Sequence, residues 1–207
     1  MKLILARHGQ TDWNSHQMVQ GRTDIPLNET GKRQAAALGE RLKNAGISAI
    51  YSGPLSRAYD TGCEMARSNG CGVTKCDKLT EIKFGVWEGM EFFAIAAGYP
   101  ALWKQWCDRP DECQIEGAET LDTIAERTMQ ALERIIKQHS PDDTVAIASH
   151  TMPIKLIVAH YTGIPFGSIH RIRIDNCGYT ELNVEDMNMG KLIVLNDVSH
   201  LSCRGLI

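Results

Sequence analysis

An α/β fold is predicted by three short aliphatic runs, Leu3-Ile4-Leu5-Ala6, Ala49-Ile50-Tyr51-Ser52 and Thr144-Val145-Ala146-Ile147-Ala148, each ending in a turn and leading on to a helical pattern. Runs this short and this apolar fit strands of a parallel sheet with both faces covered. Ligands of such sheets collect at the carboxyl ends of the strands. The first run ends in Arg7-His8-Gly9 and the third in Ser149-His150.

Taken in order, the strand from Lys2 to Ala6 is followed by a helix from Thr30 to Ala45, because Ala35, Leu38 and Leu42 recur at intervals of three and four and Gly46 supplies a stop. The second strand turns at Gly53-Pro54 into a helix from about Ser56 to Ser68. Between Thr120 and His139, Leu121, Ile124, Ala125, Thr128, Leu132, Ile135 and Ile136 fall on one helical face opposite the charges. The third strand leads into a helix from Pro153 to Tyr161, with the proline in its first turn. Alternation at Ile172 and Ile174, and again from Leu192 to Leu195, predicts further strands closing the sheet. The stretch from about 90 to 117 is rich in aromatics but interrupted by Gly98, Pro100 and Pro110, and reads as an inserted helical lid. Trp103 and Trp106 there serve equally well as core or as lid surface.

A chain of 207 residues with 43% hydrophobic content suffices for the core of one domain spanning 1–207. Its net charge of -3 leaves no broad basic surface for nucleic acid or anionic lipid. The apolar start of the chain is too short for a signal peptide, and no later run approaches a membrane span. Seven cysteines, an odd number in a chain with a core of its own, point to reduced thiols and the cytoplasm. The Cys71/Cys76 and Cys107/Cys113 spacings match no paired zinc motif, so no metal is expected.

Arg7-His8-Gly9 after a strand joins a fork of donors, a nucleophilic nitrogen and a residue that permits a tight turn. By themselves such residues are more often a structural pair, as Arg57 is more often a surface ion-pair partner and Asn14 a turn or cap residue. The wider pattern decides. Arg7-His8-Gly9-Gln10-Thr11-Asp12-Trp13-Asn14 precedes Gln20-Gly21-Arg22-Thr23-Asp24-Ile25-Pro26-Leu27 and Gly31, then Tyr51-Ser52-Gly53-Pro54-Leu55-Ser56-Arg57-Ala58, Glu81-Ile82-Lys83-Phe84-Gly85-Val86-Trp87-Glu88-Gly89, Gly117-Ala118-Glu119-Thr120 and Ala148-Ser149-His150. In this order the segments resemble the histidine phosphatase superfamily, also called the phosphoglycerate mutase-like family, over almost the whole chain.

The resemblance implies a three-layer α/β/α sandwich around a mainly parallel sheet. It implies that His8 attacks phosphorus to form a phosphohistidine, with Arg7, Arg57 and Asn14 on the phosphoryl oxygens. His150 would donate to the equatorial oxygens. Glu81, preferred here to Glu88, would protonate the leaving oxygen and then activate water. Gln20 and Gly21 match substrate-contacting positions. Thr151 stands where many members have glycine, placing a hydroxyl beside the pocket, where it would shape substrate choice. No cofactor is implied, and the partner is a small phosphorylated metabolite. A homodimer is compatible with the sequence, which does not fix the oligomeric state.

Relatives of this length include phosphatases for α-ribazole phosphate, phosphoserine and sugar phosphates, and Tyr99-Pro100-Ala101-Leu102-Trp103 most resembles the first group. The alternatives are a phosphoglycerate mutase using the same histidine, usually with longer insertions, and a non-catalytic binder, which would not need both nucleophile and acid. His16, His139, His160 and His170 are read as structural or surface residues. So is His200, although the segment from Asn196 to Leu201 resembles one found in several phosphatases of the family.

Overall fold

The computed structural model describes residues 1–206. Its sheet has the order β3-β2-β4-β1-β5-β6, from β1 (Lys2–Arg7), β2 (Ile47–Ser52), β3 (Val73–Lys75), β4 (Thr144–Ser149), β5 (Tyr179–Val184) and β6 (Gly190–Asp197). The first four run parallel, while β5 and β6 add antiparallel at one edge.

Alternation along the central strands explains the layers. Leu3, Leu5, Val145 and Ile147 face α6 (Leu121–Gln138) and α7 (Thr151–Thr162) through Leu132, Ile135, Ile157 and Val158. Ile4, Ala6, Ala146 and Ala148 face α2 (Glu29–Arg41) and α3 (Ser56–Asn69) through Ala35, Leu38 and Met65. Both sheet faces are therefore covered, as the continuous apolar runs require. Four shorter helices complete the set: α1 (Asp12–Ser15), α4 (Phe92–Gly98) and α5 (Pro100–Asp108) in the aromatic stretch, and α8 (Ser199–Ser202) at the end. No helix of the described residues is long and apolar enough to cross a membrane.

Two expectations need correction. The helix predicted to reach Ala45 stops at Arg41: Leu42 is its C-cap and is buried in the core, and Gly46, at φ +71°, turns the chain toward β2 instead of ending the helix. Ile172 and Ile174 are buried but belong to no strand; they follow a 3₁₀ segment, Phe166–Arg171, so their alternation reflects burial without ladder pairing. The strand lies just beyond, at β5, where Thr180, Glu181 and Asn183 mask it, and the three-residue β3 carries too little pattern to be seen.

The pairing of β1 with β4 sets the site. Arg7 stands opposite Ser149, and the His8 amide donates to the Ser149 carbonyl (3.0 Å), so the residue after each strand emerges beside its counterpart.

Candidate active site

His8 and His150, far apart in the sequence, meet with ring centroids 5.3 Å apart. The His8 Nδ1 lies 2.7 Å from the Gly9 carbonyl, which can only accept, so Nδ1 carries the proton and Nε2 keeps its lone pair. Gly9 is required by close approach: a Cβ there would lie 2.5 Å from the Gly31 carbonyl oxygen at the start of α2. Burial, then the positive charges of Arg57 and Arg7, hold His8 well below the usual histidine range. His150, fully buried as the N-cap residue of α7, is depressed by the same three causes and by His8 itself. Neither of its nitrogens has a hydrogen-bond partner among the described residues. It lies against His8, beneath the surface of the adjoining cavity.

Both imidazoles are thus neutral in the folded protein, whereas unfolded they titrate near 6.5. Below that pH the unfolded chain binds more protons, so these histidines lower stability as pH falls, each by up to ~1.4 kcal/mol per pH unit, until the folded imidazoles themselves protonate. Urea melts between about pH 7 and about pH 5 are expected to show a shallower decline in His150→Ala than in the wild type. Equal slopes would contradict a neutral His150.

Two guanidiniums face His8. Arg7 donates to the Ile174 carbonyl (2.8 Å), and Arg57, with no exposed surface, donates to the carbonyls of Gly21 (2.8 Å) and Thr23 (2.8 Å). Each keeps its Nε unpartnered among the described residues. Burial lowers both, Arg57 to about 10. Asn14 spends its Oδ1 on the Thr11 amide, the Thr11 hydroxyl and the Asn176 amide group, so its own Nδ2 is the group left for an anion.

Glu81 is 8% exposed. Its Oε1 accepts from the amides of Ile82 (2.9 Å) and Met152 (3.2 Å), and its Oε2 from that of Thr151 (3.1 Å), so this carboxylate also caps α7. Burial pushes it up against the opposing pull of these amides and the two arginines. Its loop is held by Arg127, which donates to the carbonyls of Lys78, Thr80 and Glu81 and pairs with Glu119 (3.0 Å). Glu119 in turn receives the Lys83 amide, so the Gly117 to Thr120 motif braces the loop that carries Glu81.

Glu88 faces the other way. It accepts from the amides of Arg22 and Phe84 and from the Thr23 hydroxyl, tying the Gln20 to Thr23 loop in place. Gly21 adopts φ +51°, and a Cβ there would collide with the Glu88 carboxylate at 2.2 Å.

Arg7, His8, Asn14, Gln20, Gly21, Arg57, Glu81 and Thr151 all line one cavity of about 410 Å³. Its far wall is apolar, with Phe84, Trp87, Phe92, Trp103 and Trp106. Trp103 and Trp106 pack against Trp87 and line the cavity as well, so they serve as core and lid surface together. The gathering thus includes every residue singled out in the sequence as a substrate contact. His170 and Lys155 also line the cavity without having been singled out as site residues in the sequence. His170, read as structural or surface, lies on the cavity rim with its ring 5.1 Å from that of Trp106. Lys155, on α7 one turn after Thr151, also lines the cavity, and an isolated lysine in an apolar helix gave no signal. His200 packs near Tyr179 and is not among the lining residues.

Residues 3–197 match the family described as histidine phosphatase superfamily (branch 1). Phosphoserine phosphatase 1 of Hydrogenobacter thermophilus is 32% identical over 97% of this chain and 94% of its own. Among solved structures, Bacillus stearothermophilus YhfR superposes with a TM-score of 0.90 at 28% identity, over 97% of this chain and 98% of that one. A mycobacterial glucosyl-3-phosphoglycerate phosphatase complexed with VO3 gives 0.87 at 28% identity, over 94% and 98%.

Proposed function

The chain belongs to the histidine phosphatase superfamily and is a phosphatase of that kind; from that premise we propose that it hydrolyses a small phosphomonoester through a phosphohistidine on His8. The observation that supports this reading is the convergence of a neutral imidazole, two guanidiniums and a buried carboxyl group on one cavity.

Arg7, Arg57 and Asn14 hold the phosphoryl oxygens with donors that stay charged or fixed at neutral pH. His8 Nε2 attacks phosphorus opposite the ester oxygen, so that a P–N bond forms as the P–O bond breaks. Glu81, protonated in the presence of the dianion, gives its proton to the departing oxygen. Its Oε2, with one amide donor against two on Oε1, is the oxygen that carries this proton. Water then attacks phosphorus, Glu81 takes its proton, and the P–N bond breaks to release inorganic phosphate. His150, whose nitrogens have no partner among the described residues, donates to an equatorial oxygen as charge builds there. Thr151 and Gln20 face the leaving group, and the segment from about 90 to 117 closes over it as a lid. An odd number of cysteines in a chain with its own core favours a reducing compartment, and we place the enzyme in the cytoplasm.

Purified protein is expected to release phosphate from p-nitrophenyl phosphate with EDTA present, because every group in the scheme belongs to the chain. The mutase alternative is tested with 3-phosphoglycerate, with and without a bisphosphoglycerate primer. Inorganic phosphate supports hydrolysis; 2-phosphoglycerate formed only with primer would replace it with phosphoryl return to substrate.

A further inference from the structure

Lys155 is 8% exposed, sits in an α7 segment otherwise buried as Met152, Ile154, Leu156 and Ile157, and opens onto the cavity. Its stem is buried, but its ammonium has no hydrogen-bond or ion-pair partner among the described residues and is not one of the enclosed polar atoms, so its free charge reaches the cavity. The charges that act on it, Arg7 and Glu81, both belong to the phosphoryl end of the site, and burial with Arg7 lowers it to about 8. The aromatic wall beside it makes that end of the cavity less polar than bulk water and so strengthens attraction for any anion placed there.

Charge accounting indicates which anion. With Glu81 protonated to act as the acid, Arg7, Arg57 and Lys155 are three cations facing the cavity. A phosphoryl dianion matches the two guanidiniums and leaves Lys155 in need of one further negative charge. The cavity, at about 410 Å³, has room for a leaving group that carries it. A monoanionic carboxylate fits a lone ammonium, whereas a second phosphoryl group would call for another cluster of donors.

We infer that Lys155 is a specificity-determining residue that binds a carboxylate on the leaving group, so that the preferred substrates are phosphomonoesters of hydroxy acids. This rests on the phosphatase reading for its biological meaning, but its test does not depend on turnover. Two probes share a carbon skeleton: 3-phosphoglycerate ends in a carboxylate where glycerol 3-phosphate ends in a hydroxymethyl group. Their affinities are measured by calorimetry in His8→Ala protein, which cannot form the phosphohistidine, and again with Lys155→Met or Lys155→Arg added.

With Lys155 present, the carboxylate probe is expected to bind at least about 30-fold more tightly than its neutral analogue. Lys155→Met brings that ratio close to one and Lys155→Arg retains most of it. A ratio near one with Lys155 in place overturns the proposal. So does a ratio that survives Lys155→Met, with both affinities falling together, since Lys155 would then serve the phosphoryl group. Failure of the wild type to hydrolyse any phosphomonoester would count against the phosphatase reading and leave the affinity ratio to be judged alone.

Discussion

His8→Ala is expected to stop turnover, with kcat for p-nitrophenyl phosphate falling at least about 10³-fold, while inorganic phosphate still binds. The two consequences separate because nucleophile and anion site are built from different groups. The guanidiniums of Arg7 and Arg57 are anchored by the carbonyls of Ile174, Gly21 and Thr23, none of which depends on the imidazole. Removing a neutral ring also takes no positive charge from the pocket. Rapid-quench labelling adds a positive signature: the wild type should carry transient acid-labile, base-stable phosphate, and the variant none. Undiminished hydrolysis by His8→Ala would reject the mechanism outright.

Glu81→Gln is expected to lower kcat by about 10² to 10⁴, with a dependence on the leaving group that identifies its role. p-Nitrophenolate departs without a proton, so its transfer to His8 survives the substitution, but hydrolysis of the phosphohistidine then lacks a base. The result is a burst of p-nitrophenol followed by slow release of phosphate. An alkyl ester such as glycerol 3-phosphate loses the first step too and shows no burst. The carboxylate also caps α7 through the amides of Thr151 and Met152, and a glutamine can present only one accepting oxygen to them. A stability loss of about 1 kcal/mol should accompany the change. Equal slowing of both esters without a burst would point to that structural loss and against acid-base chemistry.

The sequence made the central strands and longer helices legible wherever one element carried its own period, as in α6, whose buried residues follow the 3.6 repeat from Leu121 to Ile135. It misled where burial and pairing part company. Ile172 and Ile174 alternate because they plug the core beside α7, and Ile174 contributes only a carbonyl, to Arg7. Within the site, the motif residues were readable because their types are unusual together. Arg127 was not, although it holds three carbonyls of the Glu81 loop, since on a charged helix face an arginine looks like any other. Lys155 was hidden for the opposite reason: its meaning lies in the missing partner, and a lack of contacts leaves no mark on a linear string.

The parallel pairing of β1 with β4, in which Arg7 stands opposite Ser149, ties the chemistry to the assembly of the chain. The two strands are separated by more than half of the polypeptide, so bringing them into register is among the slowest kinds of folding event. Until they zip together, one imidazole sits on an early coil and the other on a late one. Recovery of hydrolysis during refolding from urea therefore clocks the closing of the sheet's centre.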